Sequence, residues 1–468
     1  MNRSITRYIC LLTLAIVASS SCKIGKKYQS PDLATAGLYR DQTGTDSATL
    51  ATMPWQSLFT DNALKALIQE GINNNLNLKS AVQRILAAQA TLQQSKAAFY
   101  PSLSANAGVT RSKQSVAGLN FPTGTGFNTL TTTFQGSLSA SWEADVWGKL
   151  SSTKRSAIAN YLQSDAAKRA VQTQLIADIA NNYFLLLTLD RQLEITQQTL
   201  KNRIKDVETM KQLKQGAVVT GAAVVQSEAN RYAAEVAIPD LKRSIRETEN
   251  ALDILLSRPP GPVSRGSLAD QKLTTDLQTG FPAQLLVNRP DVQQSEFAFR
   301  SAFENTNVAR TYFYPQFTIT AQGGLSSLQL RDFFSNSIFY NIVGGLTQPI
   351  FNQGLNKARL RNAQATQQQA LNNFQQTLLV AGQEVSNALY AHQTAFEKED
   401  ARAKQIEALQ KSVEFTQELL RYSSATNYTD VLTSEQNLLS AQLSGVNDKL
   451  QELQAIVNLY RALGGGWR

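Results

Sequence analysis

Four stretches of the chain alternate with a period of two. Leu103, Ala105, Ala107 and Val109 interleave with Ser102, Ser104, Asn106 and Thr110, which predicts a strand with one apolar and one polar face. A second stretch runs from about Thr131 to Trp147, with Phe134, Gly136, Leu138, Ala140 and Trp142 opposite Ser137, Ser139 and Ser141. Phe317, Ile319 and Ala321 against Gln316, Thr318 and Thr320 give a third, and Asn341 to Phe351 a fourth, in which Val343-Gly344-Gly345 alternates poorly. The expected strands are 102–117, 130–147, 316–327 and 338–351, each pair joined by a loop rich in Gly, Ser, Asn and Thr, such as 117–128 or 326–337.

The remainder is helical and unusually long. From Leu355 to Arg421 there is no proline and Gly382 is the only interior glycine; at about 1.5 Å per residue such a helix spans roughly 100 Å. Its apolar seam keeps a heptad through Leu371, Leu378, Val385, His392, Ile406, Val413 and Leu420, with Phe374, Ala381, Ala388, Ala395, Leu409 and Thr416 three residues after them. Only Glu399 and Arg402 break it. A sustained 3.5-residue period demands a partner helix, and Tyr428 to Leu463, beyond the polar turn 423–427, is the candidate. A long helix at 150–213, a turn at 215–221 and a return helix at 222–256 repeat the arrangement.

These elements occur twice because the chain is duplicated. Ala98-Phe99-Tyr100-Pro101 reappears about 214 residues later as Tyr312-Phe313-Tyr314-Pro315, and at the same offset Asn77-Leu78 falls on Asp291-Val292 and Ala88 on Ala302. A repeat this long copies a whole helix–strand–strand–helix unit rather than a solenoid period. The expected organisation is a signal peptide at 1–21, an N-terminal extended segment at 22–60, repeat 1 at 61–257 with a helical hairpin at 150–256, a connector at 258–282, and repeat 2 at 283–468 with a hairpin at 355–463.

Composition narrows the class. Arg3 and Arg7, the apolar run Ile9–Ala18 and Ser19-Ser20-Ser21-Cys22 have the three-part layout of a secretory signal. The two cysteines are Cys10, inside that segment, and Cys22, at its end, so the mature chain keeps one thiol and has no disulfide framework. Its place at the new N-terminus points to a bacterial lipoprotein acylated on Cys22, although Ser19 stands where the lipoprotein box has leucine. The net charge is +9, yet the basic residues are scattered and nearly matched by acids, with no basic stripe carrying interleaved aromatics, which argues against a nucleic-acid partner.

After the signal no apolar run is long enough for a membrane helix, so any membrane crossing must use strands. Two soluble hairpins are the simpler alternative. Against it stand the lean apolar face, the secretory signal, and Tyr100, Trp142, Trp147, Tyr314 and Phe351 clustered near the strand ends, as interfacial aromatic girdles are. Four strands are too few to close a barrel and lipid forbids open edges, so a barrel must be shared between chains.

Several motifs carry a resemblance: Cys22-Lys-Ile-Gly-Lys-Lys-Tyr28, Trp55 to Phe59 with Asp61, Trp142-Glu-Ala-Asp145-Val-Trp147-Gly148, Gly216-Ala-Val-Val-Thr220 before Gln226-Ser-Glu228, and Leu256-Ser-Arg258-Pro259-Pro260-Gly261. Arg289-Pro290-Asp291, Gln348-Pro349-Ile350-Phe351 and the ending Gly464-Gly465-Gly466-Trp467 follow in order. Over essentially the whole mature chain the sequence resembles the TolC-like outer membrane factors, and most closely the lipoprotein branch that serves resistance-nodulation-division efflux pumps.

The resemblance implies an α+β membrane protein in which a homotrimer shares a twelve-stranded β-barrel, four strands per chain, continued by a long α-helical coiled-coil tunnel in the periplasm. It further implies a passive exit duct in the outer membrane, with outer membrane lipid, a periplasmic adaptor and an inner-membrane resistance-nodulation-division transporter as partners, no catalysis, and no cofactor beyond the lipid on Cys22. Within the family an acidic residue faces the narrowest part of the tunnel; Asp430 matches that position, Thr433 stands where a second acid would, and Tyr422 resembles a residue that holds the closed state. Asp430 also suits a plain helix cap. Gly216, Val218 and Thr220 at one hairpin tip and Ser424, Thr426 and Asn427 at the other are the adaptor-docking residues implied. The single histidine, His392, lies on the heptad seam and reads as packing rather than as a ligand. A type I secretion duct for polypeptides and a non-channel envelope coiled coil are the alternative readings.

Overall fold

The computed structural model describes residues 24–35, 37–40, 49–115, 129–273, 279, 282–422 and 428–468. Cys22, the signal peptide and the tip residues Ser424, Thr426 and Asn427 therefore lie outside the described residues. The chain folds as α1 (Asn62–Asn74), α2 (Leu76–Ala97), β1 (Ser102–Lys113), β2 (Leu130–Ala144), α3 (Lys149–Gln215), α4 (Gly221–Leu256), α5 (Pro290–Thr311), β3 (Gln316–Ser327), β4 (Ile338–Thr347), α6 (Leu355–Tyr422) and α7 (Tyr428–Ala462). Two compact units are drawn from these elements, and each takes segments from both sequence repeats. The first comprises residues 1–32, 85–163 and 295–373, and the second 33–84, 164–294 and 374–468.

In the first unit the strands form one antiparallel sheet in the order β1-β2-β3-β4. Register decides what the sheet presents. Val109 pairs with Phe134, Leu103 with Ala140, Trp142 with Ile319, Ala321 with Ile342, and Phe317 with Leu346. Since the side-chain period is two, matched pairs put all four apolar sets on one face. The fourth strand thereby departs from expectation: its alternation is Ile338, Tyr340, Ile342, Gly344 and Leu346 against Phe339, Asn341, Val343, Gly345 and Thr347, with glycines in both rows. Gly324 lets β3 lie close to β2, because a Cβ there would collide with the Gly136 carbonyl oxygen.

The strands are shorter than the sequence pattern suggests: β1 ends at Lys113, β2 at Ala144 and β4 at Thr347. At β2 the reason is local. Asp145 turns back to cap α3, accepting from the backbone N–H groups of Leu150 (2.7 Å) and Ser151 (2.9 Å) and from the Ser151 hydroxyl (2.5 Å), which satisfies otherwise orphaned donors. Gly148, at φ +77°, supplies the left-handed turn. The N-terminal segment lies along α5. Asn307, fully buried, brackets the Lys26 backbone, accepting its N–H at 3.1 Å and donating to its carbonyl at 2.9 Å. Tyr28 packs edge-on against Phe303, ring centroids 5.5 Å apart.

The second unit holds the hydrophobic core, including Leu58, Leu64, Ile68, Ile179, Tyr183, Phe184, Phe374, Val385, Leu453 and Leu459. The heptad seam of α6 is its inward face: Leu378, Ala381, Val385, Ala388 and Ala395 are buried and His392 is half-buried. One of the two seam breaks has a partner, since Arg402 Nε donates to Asp448 on α7 at 2.7 Å. The motif residues tie this unit together. Asp61 caps α1 through the Ala63 N–H (2.7 Å) and accepts from the Tyr183 hydroxyl (2.6 Å) and Gln271 (2.8 Å). Arg258 pairs with the buried Asp253 at 2.6 Å. Arg289 reaches Asp291 (2.6 Å), Glu384 (2.7 Å) and the Ala462 carbonyl (2.9 Å). Gly464, at φ +93°, sits so close to Asn288 that a Cβ would meet its carbonyl oxygen at 2.5 Å, while the Trp467 indole donates to that same carbonyl at 3.1 Å.

Candidate channel face and hairpin tips

On the sheet, Leu103 (80% exposed), Leu138, Ile338, Tyr340 and Ile342 stand out exposed from the apolar face among the described residues. The opposite face carries Ser104, Asn106, Thr133, Gln135, Ser139, Thr320, Gln322 and Asn341, with Glu143 near one end. Both edges, β1 and β4, carry unpaired backbone groups among the described residues. No described helix is long and apolar enough to cross a membrane.

The aromatic residues expected at the membrane interface divide into two groups. Trp142 donates its indole N–H to the Phe99 carbonyl at 2.9 Å, and Trp147 donates to the Pro315 carbonyl at 2.6 Å. Each duplicated Tyr-Pro turn thus receives one tryptophan. Trp147 also lies 5.1 Å from Tyr314 and 6.4 Å from Phe317, centroid to centroid. Tyr100 and Phe351 join neither arrangement and are exposed at 75% and 85%.

At the first hairpin tip Gly216, Val218 and Thr220 are all exposed. The left-handed residue is Ala217, at φ +58°. The Val218 N–H bonds the Leu213 carbonyl at 2.9 Å and the Ala217 N–H that of Lys214 at 3.0 Å, closing the helix end as a left-handed cap does. Thr220 occupies the N-cap of α4 without a side-chain cap bond.

At the second tip the first turn of α7 is two-sided. Tyr428 and Val431 are buried against Met210 and Val224, and the Tyr428 hydroxyl donates to Ser227 at 2.7 Å. Asp430 and Thr433, three residues apart on the opposite face, are exposed, and the Thr433 hydroxyl donates to the Thr429 carbonyl at 2.8 Å. Tyr422 is 86% exposed at the end of α6. The structure therefore brings Asp430 and Thr433 to one surface and leaves Tyr422 free of the tip's hydrophobic cluster.

Behind that cluster lies a polar group the sequence reading does not anticipate. Arg203, 5% exposed, donates to the Asn230 carbonyl (2.5 Å) and to Gln436 Oε1 (2.8 Å). Glu435 accepts from Gln417 at 3.0 Å, and Asp206 Oδ2 is buried with no hydrogen-bond partner among the described residues. Burial first, and the Glu435 charge after it, push the Asp206 carboxyl up to about 7; burial also raises Glu435. One signal was present in the sequence: Arg203, Asp206, Met210 and Leu213 continue a three-four spacing, with charges where apolar residues belong. Among the described residues no group of His, Cys, Asp and Glu could hold a metal ion.

The chain matches the outer membrane efflux protein family over residues 67–258 and 281–465. It is 28% identical to the probable efflux pump outer membrane protein TtgC of Pseudomonas putida, covering 98% of this chain and 96% of that protein. It is 29% identical to the probable outer membrane lipoprotein SilC of Salmonella typhimurium, covering 88% of each. Among solved structures, the open state of the Neisseria gonorrhoeae outer membrane channel MtrE superimposes with a TM-score of 0.84 at 26% identity, covering 96% of this chain and 99% of that one. A long-helix fold with four antiparallel strands, a sheet apolar on one face, and similarity along nearly the whole chain place it together: the chain belongs to the outer membrane efflux protein family, as an outer membrane channel of an efflux system.

Proposed function

We propose that three copies of the chain form the passive exit duct of a tripartite efflux system. Each copy contributes β1 to β4 to one twelve-stranded barrel, β4 of one copy pairing with β1 of the next, apolar face to lipid and polar face to the lumen. The observation that carries this reading is the sheet itself. It has one predominantly apolar face and, among the described residues, two open edges, a combination that lipid tolerates only when the barrel is closed. A lipid on Cys22 anchors the assembly, a periplasmic adaptor docks on the tips around Gly216–Thr220 and 424–427, and an inner-membrane resistance-nodulation-division transporter supplies the solute.

The lumen-facing strand residues are mostly uncharged Ser, Thr, Asn and Gln, which favours permissive transit over selection. In this reading Asp430, repeated around the three-fold axis, forms a ring that favours cations. The purified protein is expected to run as a trimer and to conduct in planar bilayers, and Asp430→Ala to lower cation over anion selectivity. Absence of conductance from folded trimers would refute the duct. Conductance with selectivity unchanged in Asp430→Ala would remove the ring while leaving the duct in place.

A further inference from the structure

We infer that the end of the sheet where strands give way to helices carries a cationic collar that binds anionic phospholipid headgroups, one of them seated beside Tyr312. The inference rests on the duct reading, which puts the sheet in a bilayer, and adds to it the class of lipid that the boundary selects.

All four strands meet helices at one end. Ser102 of β1 lies opposite Ser141 of β2, Ala144 of β2 opposite Phe317 of β3, and Gln316 of β3 opposite Thr347 of β4. The helix turns next to that end carry Lys96 on α2, Lys154 on α3, Arg310 on α5, and Lys357, Arg359 and Arg361 on α6, all within the first compact unit. None of them is in an ion pair among the described residues, whereas Lys149 and Arg155 beside them are, with Glu143 at 3.0 Å and Glu304 at 2.8 Å. Along α6 no acid stands before Glu384. Like charges gathered at one level repel, so their counter-charge must come from outside the chain. At the edge of an apolar sheet, lipid headgroups supply it.

A cavity of about 240 Å³ gives one headgroup its seat, lined by Trp147, Lys149, Tyr312, Tyr314, Phe317 and Arg359 among others. Lys149 Nζ lies 5.5 Å and Arg359 Cζ 4.6 Å from the Tyr312 ring centroid, so a phosphate near that ring meets two cations. Glu143 and Asp145 also line the cavity; Lys149 neutralises the first, and the second is committed to the α3 backbone. Arg359 is left without a counter-charge. Phe317 belongs to the apolar row of the sheet, opposite Leu346, and Trp147 packs beside it. Apolar row and cations thus meet in one cavity, as the acyl chain and headgroup of a lipid do. A zwitterionic headgroup brings its own cation into such a seat and is disfavoured by it.

Quenching of tryptophan fluorescence by brominated lipid tests the collar, since Trp147 lines the seat. With the intact protein in mixed vesicles, phosphatidylglycerol is expected to be preferred over phosphatidylcholine about tenfold at low salt, and the preference to shrink as salt rises. Arg359→Gln is expected to lower it about fivefold, the worth of one basic residue at an anionic surface. Lys113→Gln, at the far end of β1, is expected to leave it unchanged. Equal quenching by both lipids in the wild type would overturn the proposal. So would an equal loss in Lys113→Gln, which makes it general charge, or abolition by inorganic phosphate, which makes the ligand a free anion. Folded Arg359→Gln that no longer forms trimers would overturn it too, by assigning the counter-charge to a second copy. Should that variant not fold, a wild-type preference unmoved by salt refutes the collar. Conductance of the same vesicles separates the two readings: conducting trimers without lipid preference refute the collar alone, and folded trimers without conductance refute the duct.

Discussion

Arg289 illustrates what the family motifs do at the level of single residues. Its guanidinium is buried and divides its donors among Asp291, Glu384 and a helix-terminal carbonyl, and these partners hold its proton more firmly than burial alone would allow. Arg461 pairs with Glu384 as well, at 3.1 Å. Removing one member of a buried ion network leaves charge uncompensated, so Arg289→Ala is expected to destabilise the folded protein by about 3 kcal/mol. Chemical denaturation followed by circular dichroism checks this; a loss under ~1 kcal/mol, the worth of an exposed pair, would show that the network is not structural. The sequence displays Arg289-Pro290-Asp291 plainly, but its partners Glu384 and Ala462 lie about 95 and 173 residues away. The motif was legible and its reason was not.

At the level of elements, the tip of the first hairpin has a definite backbone conformation. It closes through Ala217 in the left-handed region, a conformation costing an L-residue with a Cβ roughly 1–2 kcal/mol. Because the site is exposed, Ala217→Gly relieves that cost without disturbing packing, and thermal unfolding is expected to shift upward by an amount equivalent to ~1 kcal/mol. An unchanged or lower midpoint would mean that the backbone there is unstrained. The heptad of α6 was readable from Leu371 to Leu420 apart from its breaks at Glu399 and Arg402, since burial on one face imposes a period. That Arg402 at a seam break reaches Asp448 on α7 was hidden, because ion pairing between helices leaves no period of its own.

At the level of the whole molecule, the sheet's two faces set two different penalties. Leu138, midway along β2, is on the apolar face, and its neighbour Ser139 is on the polar one. A cation on the lipid side at mid-depth costs about 2–4 kcal/mol, whereas a lumen substitution changes selectivity. Leu138→Arg is therefore expected to reduce the yield of trimer inserted in membranes, and Ser139→Arg to leave yield intact while shifting conductance toward anions. The reverse pattern would invert the assignment of faces. Adjacent positions with opposite outcomes make this a test of register as much as of orientation.

The sequence alone determined which segments are strands and which are helices, since period-two and heptad patterns are written into the order of residues. It also determined that the chain is doubled, and that its strands are too few to close by themselves. The tertiary structure decided what depends on separations of hundreds of residues. It set the register that gathers four apolar rows on one face, including the glycine-interrupted β4, and it delivered one tryptophan to each Tyr-Pro turn. It also placed Asp206 where burial, and after it the Glu435 charge, raise its proton affinity. A carboxyl carries no mark in the sequence of whether it will meet water or another carboxyl, because its proton affinity is set by neighbours that only folding brings.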